Sequence, residues 1–151
     1  MYTMKRLALA TAVVTLIPGM AATAPDDESD VFDVSYVNSF VEAHGSLQFW
    51  TGTGGGTVVG DSTIANTIRD KANAKRPVGF STITAANGDL RYIDWEQTRS
   101  ADGLSWTGPY TIVGGTGLFQ FACGTGTTTA TVNGDGTITS TFVGTIGNLN
   151  P

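Results

Sequence analysis

The sequence predicts a single all-β domain, either a sandwich or a barrel, built of short strands. Several segments alternate apolar with polar residues, which is the period-two pattern of half-buried strands. Turn signals rich in Gly, Asn and Asp separate these segments by about eight to twelve residues. The chain has 151 residues, of which 20 are glycine, and helical spacing of apolar side chains is confined to one stretch. These features together indicate the all-β class.

The domain begins with two predicted strands, residues 31–41 and 46–51, joined by a turn at residues 42–45. The apolar face of the first strand carries Phe32, Val34, Tyr36 and Phe40, with Asn38 between them. The second strand carries Trp50 near its end. We interpret the glycine-rich residues 52–56 as a loop at the mouth of a barrel, because such stretches punctuate strands.

Residues 61–76 allow more than one interpretation. Ile64, Ile68 and Ala72 have helical spacing, which favours a short helix or an excursion loop ended by Pro77. This stretch also holds a group of cations, Arg69, Lys71, Lys75 and Arg76. They form either a basic patch for an anionic ligand or a solvated face, and we favour the solvated face.

Beyond Pro77 the strand pattern becomes regular. Asn-Gly-Asp at residues 87–89 and Asn-Gly-Asp-Gly at residues 133–136 are hairpin signals, each between two predicted strands. The predicted strands of this half are residues 78–84, 90–98, 104–113, 125–132 and 137–146. Threonines share one face of the last strand, which is typical of a solvated β surface.

Residues 114–126 form a glycine-dense corner between two of these strands. A phosphate-binding loop would need a lysine after its last glycine, or a helix, and a Thr-rich strand follows instead. We therefore predict a tight structural bend in which glycine supplies positive φ values and close backbone approach. Cys123 in this corner has no basic neighbour in the sequence, so we predict a small buried residue rather than a reactive thiol.

Residues 1–24 have the features of a secretory signal peptide. Lys5 and Arg6 precede a short apolar core, and small residues follow a Pro-Gly break. The apolar run is shorter than the roughly 20 residues that cross a bilayer. Residues 25–30 form an acidic leader that we expect to be disordered, and residues 31–147 form the domain. We therefore expect a secreted or periplasmic protein.

The charge and the cysteine count exclude several classes of partner. The net charge of −5 becomes −7 once residues 1–24 are removed with their two cations. We expect no nucleic-acid partner and no membrane partner, because a surface of this sign repels phosphates. With one cysteine and one histidine, His44, the chain cannot form an intrachain disulfide or the usual zinc ligand set. We predict neither a metal nor a cofactor.

Three motifs carry a resemblance to a known family. They are residues 87–96 (NGDLRYIDWE), 106–119 (WTGPYTIVGGTGLF) and 144–146 (GTI). With them, residues 31–147 resemble the barrel proteins of the allene oxide cyclase and dirigent type. The resemblance implies an eight-stranded antiparallel barrel whose lumen holds a small apolar molecule, and it allows a homo-oligomer. Phe121 and Cys123 depart from the family pattern, which usually has glycine and a small or polar residue there.

Two groups of residues are candidates for a site in such a barrel. Asp94 and Glu96 share one strand face, so in a lumen they would serve as general acid and base. On the outer face they would be ordinary surface charges, the interpretation that we favour. The aromatic candidates for contact with an apolar ligand are Tyr36, Tyr92, Trp106 and Tyr110, with packing in the core as the alternative.

These observations lead to three functional hypotheses. We expect a secreted small barrel that binds a small apolar or aromatic molecule in its lumen, without established catalysis. The second hypothesis is a cyclase-like or dirigent-like enzyme that confines a reactive substrate, with Asp94 or Glu96 assisting. The third is a structural or interaction barrel that assembles through its Thr-rich outer faces.

Overall fold

The chain folds into a closed, eight-stranded antiparallel β-barrel. The computed structural model describes residues 29–69 and 76–150, so the predicted signal peptide and most of the acidic leader lie outside the described residues. The strands are β1 (Asp30–His44), β2 (Leu47–Gly56), β3 (Gly60–Arg69), β4 (Val78–Thr84), β5 (Leu90–Glu96), β6 (Thr98–Arg99), β7 (Ser105–Gly115), β8 (Gly124–Val132) and β9 (Ile138–Ile146). Within the described residues, no helix has the length and apolarity to cross a membrane.

The strands follow one another around the barrel as an up-and-down meander. Successive strands pair antiparallel, except that β5 pairs with β7 rather than with the short β6, and β1 pairs with β9 to close the ring. The two-residue strand β6 continues β5 along the same neighbour, β7, so the two together form one side of the barrel. Closure removes the free sheet edges from the body of the barrel, and it turns one face of every strand inward.

The core is formed by the inward-facing residues of the strands, as the alternating pattern of the sequence predicts. In β1, Phe32, Val34, Tyr36 and Asn38 are buried and the residues between them are exposed. The fully buried side chains at the heart of the barrel also include Ile64, Ile83, Ile93, Tyr110, Ile112, Phe119, Phe142 and Ile146. Phe40 differs from the prediction: it lies beyond Asn38, the last residue of β1 that pairs with β9, and it is exposed.

The helix or loop predicted for residues 61–76 is wrong for its first part, which is strand β3. Ser62, Ile64 and Asn66 are buried while the residues between them are exposed, so the strand has the usual period of two. A spacing of four residues, as between Ile64 and Ile68, fits both a helix and a strand face, and pairing with β2 and β4 decides for the strand. Residues 70–75, with Ala72, Lys71 and Lys75, lie outside the described residues.

The loop predicted for residues 52–56 and the turn predicted for residues 42–45 are also wrong. Residues 52–56 belong to β2 and pair with both β1 and β3. Their glycines are required by close packing, since a Cβ at Gly54 would overlap the carbonyl group of Ser35. Strand β1 continues to His44, so the hairpin turn comes later than predicted, at residues 45–46.

The glycine corner joins β7 to β8, as predicted, and it closes one end of the barrel. Gly117 has a φ of +53°, and a Cβ there would collide with the Asp89 carboxylate. That carboxylate accepts a hydrogen bond from the Leu118 amide at 3.0 Å, which fixes the short 3₁₀ turn Gly117–Phe119. Phe119 thereby points inward and is fully buried. We call this the closed end of the barrel.

Cys123 is exposed, so the prediction of a buried residue is wrong. The backbone of Cys123 pairs with Gly147 as an isolated bridge, and this register turns its side chain outward. Its Sγ contacts Asn148 Nδ2 at 3.2 Å. Phe121 is exposed as well, so both departures from the family motif lie on the outside of the corner.

The exposure of Cys123 gives a simple test of the corner. In the native protein we expect Cys123 to react with a coloured thiol reagent at a rate within about tenfold of that of the urea-unfolded chain, because an accessible thiol needs no opening step. The Cys123→Ser variant is the blank. Reaction that is slower by several orders of magnitude would contradict the outward orientation.

Candidate functional site

The barrel contains a cavity of about 240 Å³ at the end opposite the closed one. We call this the open end, and it lies between the β1–β2 hairpin, the start of β4 and the β8–β9 hairpin. The lining consists of Asn38, Gln48, Trp50, Asn66, Ile68, Pro77, Trp95, Gln97, Trp106, Thr128, Ala130, Ile138, Ser140 and Phe142. They come from inward-facing positions around the ring of strands, so closure of the barrel is what brings them together.

Tryptophan is the dominant residue of this lining. The chain has three tryptophans, and all of them, Trp50 on β2, Trp95 on β5 and Trp106 on β7, line the cavity. Trp95 is buried, whereas Trp50 and Trp106 are half-buried near the mouth. Phe40 packs edge-on against Trp50, with 5.3 Å between the ring centroids. The cavity therefore offers several aromatic faces to whatever enters it.

Part of the wall above the cavity is a projecting hairpin. β1 pairs with β9 only as far as Asn38, whereas β1 and β2 remain paired as far as His44 and Leu47. The hairpin thus extends beyond the neighbouring β9, and it carries Phe40 and Trp50 at its base. Among the described strands, β3 alone pairs with this projecting part, along its β2 side.

A continuous chain of buried hydrogen bonds forms the floor of the cavity. Trp95 Nε1 donates to Ser81 Oγ at 2.8 Å, and Ser81 Oγ donates to Asn66 Oδ1 at 2.6 Å. Asn66 Nδ2 donates to Asn38 Oδ1 at 2.9 Å, and Asn38 Nδ2 donates to Ser140 Oγ at 2.9 Å. Because each side chain holds the next, the floor is fixed in position before any ligand arrives.

Two glycines make room for this floor. A Cβ at Gly52 would lie 2.6 Å from Asn38 Oδ1, so the absence of a side chain on β2 lets Asn38 and Asn66 meet across that strand. A Cβ at Gly79 would overlap the six-membered ring of Trp95. Gly79 on β4 therefore lets the indole lie flat against the wall of the barrel.

A second polar group, Gln97 with Thr128, lies beside the apolar surface. Gln97 Nε2 donates to Thr128 Oγ1 at 3.2 Å, and both residues are buried. This contact uses neither the Gln97 carbonyl oxygen nor the Thr128 hydroxyl proton. One acceptor and one donor are thus available to a ligand in the cavity.

The lining is electrically neutral, since all fourteen side chains are uncharged. Glu96, which lies between the lining residues Trp95 and Gln97 in the sequence, forms an ion pair outside the cavity, where Arg76 Nε contacts Glu96 Oε1 at 3.0 Å between two exposed side chains. Among the described residues, no group of three or more metal-ligating side chains comes together. The chemistry that the cavity offers is apolar contact, aromatic stacking and neutral hydrogen bonding.

The four aromatic candidates fall in three different places. Trp106 lines the cavity. Tyr36 and Tyr110 are buried deeper in the core, where Tyr36 Oη and Ser62 Oγ are 2.8 Å apart. Burial raises the pKa of both phenols, that of Tyr110 to about 12. Tyr92 lies on the outer face of β5 and stacks on Phe80, with 5.9 Å between the ring centroids.

The two carboxylates, Asp94 and Glu96, lie on the outer face of β5. Their neighbours in the strand, Ile93 and Trp95, point inward instead. Asp94 and Glu96 could act as general acid and base only if they faced the lumen, and their position on the outer face does not support that role. Arg76, one of the cations of the predicted solvated stretch, is the partner that holds Glu96.

The sequence analysis did not single out several of the residues that shape the cavity. Asn66, Ser81 and Gln97 sit at inward positions of their strands, and a polar residue on an otherwise apolar face is a detectable signal. Asn38 was recognised in this way, between Tyr36 and Phe40. The same pattern also marks Arg91, which shares the inner face of β5 with Ile93 and Trp95.

Comparison with known proteins found no match: neither a family model nor a curated protein matches this chain.

Proposed function

We propose that the barrel binds a small, neutral aromatic or apolar molecule in the open-end cavity, and that it does so as an exported protein. The observation that carries the proposal is the uncharged cavity of about 240 Å³ with its three tryptophans. A soluble domain of this size gains stability from a filled core, so an apolar space left within it is a candidate ligand site.

The volume points to a ligand of one or two rings. An engineered apolar cavity of about 150 Å³ binds benzene, whereas drug-sized ligands occupy about 300–1,000 Å³. The open-end cavity falls between these values. A fused two-ring molecule with one small polar group is the class of ligand that fits best.

The lining also sets the polarity of the ligand. Indole faces favour flat aromatic groups, with offset or edge contacts that add about 0.5–1.5 kcal/mol each. Gln97 and Thr128 supply one acceptor and one donor for a hydroxyl or amide. A carboxylate would lose its hydration without meeting a cation of the described lining, so an anionic ligand is disfavoured.

Export and family membership are parts of the proposal that rest on the sequence. Residues 1–24 have the pattern of a signal peptide, and residues 87–119 carry motifs similar to those of allene oxide cyclase and dirigent barrels. Those barrels work by shaping a lumen. The closed barrel with a cavity at one end is compatible with that ancestry.

A matched pair of ligands tests the proposal. 2-Naphthamide is neutral, and 2-naphthoate is nearly the same shape but charged at neutral pH. At about −0.5 kcal/mol per non-hydrogen atom, we expect 2-naphthamide to bind with a Kd on the order of 10 μM by isothermal titration calorimetry. We expect 2-naphthoate to bind at least about tenfold more weakly. Equal affinity for the two would refute a neutral site.

A bulky side chain placed inside the open-end cavity should weaken the binding of 2-naphthamide. Ala130 on β8 lines the cavity, and Ala130→Phe places a ring in that space. We expect the affinity for 2-naphthamide to fall at least about tenfold, because the ligand and the new ring occupy the same volume. Thr131→Phe is the control, since residue 131 is the next along the strand and faces solvent. Unchanged binding in Ala130→Phe would place the ligand elsewhere.

A further inference from the structure

A buried cation, Arg91, lies at the closed end of the barrel. Its side chain is 0% exposed, and it is the one charged residue among the buried residues of the described chain. It occupies an inward-facing position of β5, on the same strand face as Ile93 and Trp95. The open-end cavity and the shallow groove on the outside of β1–β4 both lie away from it, as neither is lined by Arg91.

Two phenyl rings cover the faces of the guanidinium. The Arg91 Cζ atom lies 4.3 Å from the centre of the Phe32 ring and 4.1 Å from that of Phe119. These cation–π contacts stabilise the charge, and the more so where water is absent. The N–H groups, however, point outward in the plane of the guanidinium, along its edges, so stacked rings do not satisfy them.

The edges of the guanidinium have no protein acceptor. Nε, Nη1 and Nη2 of Arg91 are all buried and make no hydrogen bond within residues 29–69 and 76–150. The Tyr110 hydroxyl is buried and without a partner in the same part of the chain. Tyr110 packs edge-on against Phe32, the ring that also stacks on Arg91, with 6.0 Å between the ring centroids. Unsatisfied donors of Arg91 and Tyr110 therefore lie around the Phe32 ring, which contacts both residues.

No acidic side chain of the described residues balances this charge. None of those acids is buried, and neither of the two ion pairs in the described chain includes Arg91. Burial lowers the pKa of Arg91 to about 10, so the side chain remains charged at neutral pH. An unpaired buried charge is strongly destabilising, and a partner of opposite sign relieves it.

We propose that the closed end is a binding site for a small monovalent inorganic anion such as chloride, held by the edge N–H groups of Arg91 and by the Tyr110 hydroxyl. Charge-assisted hydrogen bonds from a guanidinium are among the strongest available to an anion in a protein. Phe32 and Phe119 contact the guanidinium, and its N–H groups are fully buried, so the site suits only an ion of atomic size. The site is structural, and it is independent of the ligand proposed for the open end.

Thermal unfolding of the purified full chain tests the proposal. Sodium chloride is raised from about 1 to about 300 mM while sodium gluconate, whose anion is too large for an enclosed site, holds the ionic strength constant. We expect the Tm to rise by about 5–10 °C, increasing with the logarithm of the chloride concentration above the Kd, since an anion that binds only the folded state stabilises it by mass action. A Tm that does not depend on which anion is present would overturn the proposal.

Two variants locate the effect. Arg91→Met keeps an unbranched apolar stem and removes the charge, and we expect it to lose the chloride response. Arg99→Met, at an exposed arginine, is the control and should retain it. Tyr110→Phe should weaken the response several-fold without abolishing it. A full chloride response in Arg91→Met would overturn the assignment to Arg91.

A crystal soaked in sodium bromide gives a second measurement that does not depend on the folding of a variant. We expect an anomalous bromide peak within hydrogen-bond distance of the Arg91 guanidinium, and no peak there would overturn the proposal. The acidic residues 26–28, outside the described residues, are the alternative source of negative charge. If their replacement by Asn and Gln destabilises the protein and creates a chloride response that the natural chain lacks, the partner is a carboxylate of the chain and the proposal fails.

Discussion

The Gly79→Ala variant is expected to lose about 2–4 kcal/mol of its free energy of unfolding and to bind 2-naphthamide at least about tenfold more weakly. A Cβ at this position would overlap the Trp95 ring. The indole must then turn away from β4, which breaks the 2.8 Å hydrogen bond from Trp95 Nε1 to Ser81 Oγ. Urea unfolding and calorimetry measure the two effects in one preparation.

Gly134→Ala is the matched control for this variant. Gly134 lies in the β8–β9 hairpin, and a Cβ there would meet no atom within 4 Å. We expect a change in stability within about 0.5 kcal/mol and unchanged ligand affinity. If Gly79→Ala behaves like this control, Trp95 does not lie against β4 as described.

The Asn38→Leu variant is expected to lose a similar amount of stability, about 2–4 kcal/mol. Leucine has the same number of side-chain non-hydrogen atoms with the same branching, although its methyl groups are bulkier, so most of the loss reflects polar groups left without partners. Asn38 bridges Asn66 Nδ2 and Ser140 Oγ, and both of these residues are buried. A buried donor or acceptor that loses its partner costs about 1–3 kcal/mol.

The neighbouring position supplies the control for Asn38. Ser39 is on the outer face of the same strand and exposed, so Ser39→Ala should change the free energy of unfolding by less than about 0.5 kcal/mol. A loss below about 1 kcal/mol in Asn38→Leu, measured by urea unfolding, would show that the hydrogen-bonded floor is not a cooperative unit.

Local pattern was sufficient to predict most of the fold. The alternation in β1 and the hairpin signals at residues 87–89 and 133–136 depend on neighbours in sequence, and the structure has strands and turns there. Strand β3 was misassigned because the spacing of its apolar residues suits a helix and a strand equally. Its pairing with β2 and β4 makes it a strand. The glycines of residues 52–56 resembled a loop because their role, close approach to β1, depends on a distant strand.

The candidate site was less predictable because it depends on closure of the barrel. Trp106 was among the predicted ligand contacts because it alternates onto an apolar face, whereas Asn38 was placed on the apolar face of the first strand without a role. Asn38 and Asn66 can form a hydrogen bond only because the strand between them, β2, has a glycine at that point. The spacing of residues in the sequence does not reveal this contact. Tyr92 illustrates the opposite failure: an aromatic residue of a correctly predicted strand lies on the outer face.

Uptake of a neutral aromatic molecule by the open-end cavity can be followed through the tryptophans themselves. In a ¹⁵N–¹H correlation spectrum the chain has three indole N–H signals, from Trp50, Trp95 and Trp106, and all three side chains line the cavity. During a titration with 2-naphthamide we expect all three signals to shift with one common Kd. The backbone amides of Gly115 and Gly124 at the closed end should not shift. Indole signals that stay in place while 2-naphthamide binds, or shifts confined to the closed end or the outer face, would contradict uptake by the open-end cavity.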